Sequence, residues 1–237
     1  MAQFIHKGEE KKKYVKQMFN DISKTYDLIN ILSSFGIDRY WRRSLIKRIN
    51  LSHNSKLLDV ATGTGDVAFG FLKKYNCSVV GVDIAKNMIE LAKIKANKYN
   101  GNIDFFEGDA EELSFSNDSF DALTISFGFR NLGSYDAALS EFYRVLKQNG
   151  KIAILEFSKP TSFWFAPIFN FYFNKVIPLI GSVLSRKDAY LYLPESVDYF
   201  LTRKDVCSKL ESAGFKNISY TDYTFGVATL YIGYKNE

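Results

Sequence analysis

"KNISYTDYTFGVATLYIGYK", Lys216–Lys235, is the stretch on which the fold turns. It holds two strand-like runs, KNISYTDY and VATLYIGYK, parted only by Thr224-Phe225-Gly226. A parallel crossover needs a dozen or more residues, so this pair has to be antiparallel. RKDVCSKLESAGF, just upstream, reads as a helix with Thr202 as N-cap and Gly214 as stop.

From Lys56 onward the rhythm is different. KLLDV (Lys56–Val60), CSVVGVD (Cys77–Asp83), IDFFEGD (Ile103–Asp109), FDALTISF (Phe120–Phe127) and GKIAILEFS (Gly150–Ser158) read as strands. Helical patterns such as NMIELAKIKANK and SYDAALSEFYRVLK lie between them; Ser134 is the N-cap of the second, and Gly150 follows its end. Such alternation implies a parallel sheet with right-handed crossovers. The whole is an α/β, doubly wound, mainly parallel seven-stranded sheet with an antiparallel last strand. That ending is unusual for a nicotinamide dehydrogenase and habitual in class I methyltransferases that use S-adenosylmethionine. Residues 1–55 are expected to form an N-terminal helical region and 160–200 an inserted cap, all within a single methyltransferase domain, 1–237.

The composition allows this and narrows the partners. The chain has 237 residues, 46% of them hydrophobic, and a formal net charge of +5. Much of the positive charge comes early, in Lys11-Lys12-Lys13 and in Arg39, Arg42, Arg43, Lys47 and Arg48. A basic surface suits an anionic membrane or a phosphate-bearing partner, or is simply a solvated helix face. No nucleic-acid motif accompanies it. Two cysteines, Cys77 and Cys207, make no disulfide framework. With His6 and His53 as the only histidines, no metal site is expected. The opening MAQFIHKGEEKKKY lacks the apolar run of a secretory signal. A cytoplasmic location is the expectation, with room for peripheral contact at the inner face of the membrane.

LLDVATGTGDVAFG, Leu57–Gly70, carries the candidate cofactor turn. Gly63-x-Gly65-x-x-Ala68 with Asp83 twenty positions after Gly63 also fits a dinucleotide fingerprint. A sulfonium cofactor has no diphosphate and needs the backbone to approach its methionine part closely, which Gly63 and Gly65 permit. Thr64 can hydrogen-bond the amino-acid end. Asp59, ending the first strand, can anchor the turn or attract the ammonium. Asp83 can accept both ribose hydroxyls, because a carboxylate is a pure acceptor. Asp109-Ala110 follows the third strand, where an adenine would lie, and Ser126 ends the fourth beneath the reactive centre. All lie at the carboxyl ends of strands, where open α/β sheets bind ligands.

YDLINILSSFGIDRYW (Tyr26–Trp41), RVLKQNGKIAILEFS (Arg144–Ser158), TISFGFRN (Thr124–Asn131) and LDVATGTGD together resemble the quinone-biosynthesis C-methyltransferases, over nearly the whole chain. That family methylates a ring carbon of demethylmenaquinol and of the ubiquinol precursor. The resemblance implies cofactor contacts at Thr64, Asp83, Asp109, Ala110 and Ser126. The chain departs from the family pattern at Ile29 (usually Met), Ser33 (aliphatic), Asp38 (His), Thr62 (Gly) and Gln148-Asn149 (Pro-Gly).

The reaction implied is methyl transfer from S-adenosylmethionine to an aromatic carbon of a prenylated quinol. Carbon becomes a good nucleophile once the neighbouring hydroxyl loses its proton, so the protein must take or share that proton. Arg130 and Asn131, after the fourth strand, are expected to face the acceptor; Arg130 would stabilise a developing phenolate, since a guanidinium is no base. Tyr26 and Asp27 are the alternatives, Asp27 acting through water. PTSFWFAPIFNFYFNKVIPLIGSVL (Pro160–Leu184) is densely aromatic but interrupted by Asn170, Asn174, Lys175, Pro167 and Pro178, so it is no membrane span. It could line a tunnel for the prenyl tail, rest on the bilayer or pack on the sheet. The rival readings are another apolar phenolic or sterol-like acceptor, a nicotinamide oxidoreductase, and a non-enzymatic subunit of a quinone-biosynthesis complex.

Overall fold

Runs rich in Val, Ile and Leu form the middle of the sheet because they are covered on both faces, as parallel strands require. In the computed structural model, which describes residues 4, 6–99, 102–179 and 187–236, these are β1 (Lys56–Val60), β2 (Ser78–Asp83), β3 (Ile103–Glu107), β4 (Phe120–Ser126) and β5 (Leu146–Phe157). β6 (Lys216–Tyr223) and β7 (Ala228–Tyr234) complete one sheet in the order β3-β2-β1-β4-β5-β7-β6. β7 runs antiparallel to both β5 and β6, with Leu155 opposite Leu230 and Thr221 opposite Leu230 on the other side. β5 begins four residues before the expected Gly150, because Leu146 pairs with Phe120 ahead of a turn at Asn149. Asn149 has φ +62°, a left-handed conformation that asparagine tolerates better than most residues.

Helices sandwich the sheet. α2 (Ile37–Ile49), α3 (Asp66–Lys74) and α4 (Lys86–Ala96) bury Trp41, Leu45, Phe71 and Ala92 on one face. α5 (Tyr135–Val145) and α8 (Arg203–Ser212) bury Phe142, Val145 and Leu210 on the other. Ser134 caps α5 by accepting from the Ala137 amide. Thr202 and Asp205 form a reciprocal capping box on α8.

α1 (Gly8–Ser34) and the segment after β5 stand outside this sandwich. Phe35 and Gly36, both left-handed, turn α1 into α2. After β5 come α6 (Ala166–Phe171), a π-helical turn over Tyr172–Val176, and α7 (Lys187–Asp198). Pro167 sits in the first turn of α6, where its missing N–H costs nothing. Val15, Met18, Ile22 and Ile29 of α1 pack on Phe173, Ile177, Tyr190 and Tyr192 of this segment. α1 and the cap thus form a third core above the carboxyl ends of the strands.

Candidate active site

Two cavities meet above those strand ends. The smaller, of about 70 Å³, is a crevice lined by Gly63, Asp83, Asp109, Ala110, Ser126 and Asn131, among others. The larger, of about 330 Å³, is almost wholly apolar; Trp41, Phe157, Phe169, Phe173 and Tyr190 are in its wall, with Arg130 and Asp38. Phe19, Tyr26 and Phe127 belong to both cavities and form the partition between them.

The glycine turn is held from beneath. Asp59 is 1% exposed and accepts from the hydroxyls of Thr62 and Thr124, both at 2.7 Å. It therefore anchors the turn and does not reach the crevice. Burial pushes its carboxyl up to about 6. Thr62, where the family has glycine, supplies one of those two bonds. Gly65 has φ +91°, and a Cβ there would come 2.7 Å from the Phe69 ring.

Asp83 spans the turn. Its Oδ2 accepts the Gly63 amide at 2.8 Å and its Oδ1 the Ala85 amide at 2.9 Å. Burial raises its carboxyl to about 6 against the opposing pull of those amides. Asp83 lines the crevice and each oxygen can accept a further hydrogen bond, as a pair of ribose hydroxyls needs. The Ser126 hydroxyl, also in the crevice wall, is buried with no partner among the described residues. A buried hydroxyl without a partner costs about 1–3 kcal/mol, so the site is built for a polar ligand. The orphaned hydroxyl, the Asp83 acceptors and the open glycine backbone fit S-adenosylmethionine.

The other expected residues are placed as follows. The Asp109 carboxylate accepts from Lys12 of α1 at 2.9 Å and from the Glu111 amide at 2.9 Å. The Thr64 hydroxyl donates to Asp27 at 2.7 Å, and Lys95 joins both. Thr64 and Asp27 line neither of these two cavities: they clasp α1 to the glycine turn. Tyr26 stands in the partition, and burial raises its phenol. Asn131 accepts from the Tyr192 hydroxyl at 3.0 Å. Arg130 does border the larger cavity, but it is 6% exposed and ion-paired with the fully covered Glu156 at 2.6 Å. It also donates to the Phe127 carbonyl at 2.6 Å and to Ser196 at 3.2 Å.

Sequence reasoning missed Glu156, Lys11, Tyr190 and Tyr192. Glu156 was within reach, since β4 and β5 are neighbours and Ser126 pairs with Leu155. Lys11 was read with Lys12 and Lys13 as part of a basic surface, but it is buried and its ammonium donates to the Arg130 carbonyl at 2.6 Å. Burial, then the Arg130 charge, lowers it to about 8.

Comparison with known proteins settles what this architecture belongs to. The model of the ubiE/COQ5 methyltransferase family matches residues 7–235. The chain belongs to the ubiE/COQ5 methyltransferase family. A member from Geotalea daltonii, "Ubiquinone/menaquinone biosynthesis C-methyltransferase UbiE", is 43% identical over 239 residues, covering 99% of this chain and all of that one. The "Demethylmenaquinone methyltransferase" of Thermus thermophilus is 40% identical over 218 residues, covering 91% and 99%. Solved structures share the fold at lower identity. A methyltransferase from Aquifex aeolicus has a TM-score of 0.61 at 18% identity, covering 82% of this chain and 89% of that one. The [4+2]-cyclase SpnF has a TM-score of 0.70 at 16% identity, covering 95% and 96%. Fold alone therefore does not decide the chemistry; the family does. As a ubiE/COQ5 member the chain is an enzyme, an S-adenosylmethionine-dependent methyltransferase. The nicotinamide oxidoreductase and the non-enzymatic subunit are thereby set aside.

Proposed function

We propose that this chain, acting as one methyltransferase domain, methylates a ring carbon of a prenylated quinol: demethylmenaquinol, the ubiquinol precursor, or both. The observation that carries this is the apolar cavity of about 330 Å³ sharing a wall with the cofactor crevice. An aromatic ring seated against Tyr26 and Phe127 meets the crevice there, while a hydrocarbon tail finds Phe165, Ile168, Phe169 and Phe173 on its way out. The names of the relatives agree with this acceptor. S-adenosylmethionine, when bound, supplies an electrophilic methyl. Asp83, Ser126, Ala110 and the glycine turn would hold it, and Arg130 and Tyr26 would face the acceptor; Asn131, expected on the acceptor side, lines the cofactor crevice instead. Incubating the purified protein with S-adenosylmethionine and reduced prenylated demethylnaphthoquinone should yield the ring-methylated product by mass spectrometry. Turnover only of unprenylated phenols or sterols would refute the reading.

Exposed apolar side chains gather on the α1–α2 turn and the cap, and Phe35, Ile37 and Ile168 among them line the larger cavity. Phe35 is 78% exposed and Phe163 94%, with Ile37, Trp164, Ile168 and Phe171 also exposed. Exposed Arg39, Arg43 and Lys175 lie in the same α1–α2 and cap segments. No described helix is long and apolar enough to cross a membrane. We propose that this rim rests on an anionic bilayer, from which the prenyl tail enters. Co-sedimentation with vesicles containing phosphatidylglycerol should retain the protein, whereas equal recovery with and without vesicles would exclude the contact.

A further inference from the structure

We propose that Asp38 is the general base that takes the acceptor's ring-hydroxyl proton; this rests on the quinol reading above. Of the residues lining the acceptor cavity, Asp38 is the one carboxylate, and no histidine is among them. His6 is bound to Glu195 and stacked on Tyr199, and His53 lies by Asn76. Asp27 is held by Thr64 and Lys95 away from the cavity. Glu156 is fully covered and takes the Arg130 guanidinium and the amides of Arg130 and Phe157. Asp83 and Asp109 belong to the cofactor crevice.

Asp38 sits in the first turn of α2 and is 7% exposed. Its Oδ1 accepts from the Ser34 hydroxyl at 2.7 Å, which fixes the carboxyl plane and leaves lone pairs on both oxygens. Its Oδ2 is 3.5 Å from Arg42 Nε. That Nε–H is buried and makes no hydrogen bond among the described residues. The guanidinium of Arg42 stands 5.6 Å over Phe127, a residue of the partition. Base and unspent donor thus lie together beside the wall where the ring carbon has to meet the methyl group. The groups sharing this space are Tyr26 of α1, Arg42 with Asp66 behind it, Arg130 after β4, and Tyr172, Tyr190 and Tyr192 of the cap.

The quinol O–H proton passes to Asp38, and the electron pair stays on oxygen, where Arg42 Nε–H donates to it. The ring carbon then bonds the methyl group as the methyl–sulfur bond breaks with its pair left on sulfur. The methylated carbon releases its hydrogen to water as a proton. The oxygen regains a proton from Asp38, so the quinol and the carboxylate are both restored and one proton reaches solvent.

Asp38→Asn and Asp38→His decide the matter, assayed with S-adenosylmethionine and the reduced prenylated demethylnaphthoquinone. Asp38→Asn should lower kcat by about 10²–10⁴. Its cofactor affinity by calorimetry, and its affinity for the oxidised quinone by quenching of Trp41 fluorescence, should match the wild type. Asp38→His should keep turnover but move the acidic limb of the kcat profile upward, because free imidazole titrates at about 6.5 and a free carboxyl at about 3.9. Normal kcat in Asp38→Asn, or an unmoved limb in Asp38→His, would overturn the assignment. Should Asp38→Asn fail to fold, the Asp38→His profile decides alone. A wild type that methylates only a tailless phenol overturns the prenylated acceptor, while Asp38 is still judged on that phenol.

Discussion

Asp83, proposed above to hold the cofactor, would do so against the stability of its own fold. Its folded pKa of about 6 stands above the ordinary 3.8, so between those values the folded chain holds more protons than the unfolded one. The stabilisation from that proton is complete below the ordinary value and is lost as pH rises through about 6; Asp59, also at about 6, adds to the same trend. Cofactor affinity runs the other way, because ribose hydroxyls need an ionised acceptor. Calorimetry should find binding that strengthens as pH rises through about 6 and then levels. Asp83→Ala should weaken S-adenosylmethionine by about 1.5–3 kcal/mol, the scale for hydrogen bonds to a charged group. An unaltered affinity in that variant would remove Asp83 from the site. Arg130 needs a different test, since its removal strands the buried Glu156. Arg130→Ala should cost about 3–5 kcal/mol in denaturant unfolding. Arg130→Met with Glu156→Leu should recover most of that stability yet keep a low kcat if the guanidinium also serves the acceptor. Full activity in the double variant would leave Arg130 a purely structural role.

Elements differ in how far sequence announces them. Thr202 and Ser134 were readable as caps because a cap acts within three residues, and both accept the expected amides. Thr202→Ala should cost about 0.5–2 kcal/mol in thermal unfolding, with α8 the first helix to lose amide protection; no change would mean the box is redundant. The β6–β7 hairpin was equally local, its four-residue link (224–227) forbidding any other pairing. α1 was not. Helical character could be read, but its course over the crevice depends on Lys12 meeting Asp109, 97 positions away, and on Lys16 meeting Glu107. No periodicity encodes such pairs. For the same reason Thr64 and Asp27 were given chemical roles when their partner turned out to be each other. The cap lies between these extremes: its aromatic density was plain, its destination was not. Phe169 and Phe173 stack at 4.8 Å in the wall of the larger cavity. Exchanging both for Ser should raise KM for a long-tailed quinol far more than for a tailless one. Equal effects would make the segment merely structural.

On the scale of the molecule, alternation and the closing hairpin were enough to specify the sheet, because connection length and handedness leave few alternatives. The mouth could not be placed from sequence, since Phe35 of the α1–α2 turn and Phe165 and Ile168 of the cap lie on separate segments that meet only in the wall of the larger cavity. Phe35→Ser with Phe163→Ser should weaken attachment to anionic vesicles while sparing turnover of a water-soluble acceptor. Attachment as strong as in the wild type would move the membrane face elsewhere. The partition built from Phe19, Tyr26 and Phe127 has a thermodynamic corollary. Two ligands pressed against opposite sides of one wall sense each other's presence through it. Any factor by which the quinone alters the dissociation constant of S-adenosylmethionine must then reappear, unchanged, when the titration is run in reverse. Since Phe19 and Tyr26 both ride on α1, the helix clasped to the glycine turn through Asp27 and Thr64, that cooperativity should shrink in Asp27→Ala, although Asp27 touches neither cavity.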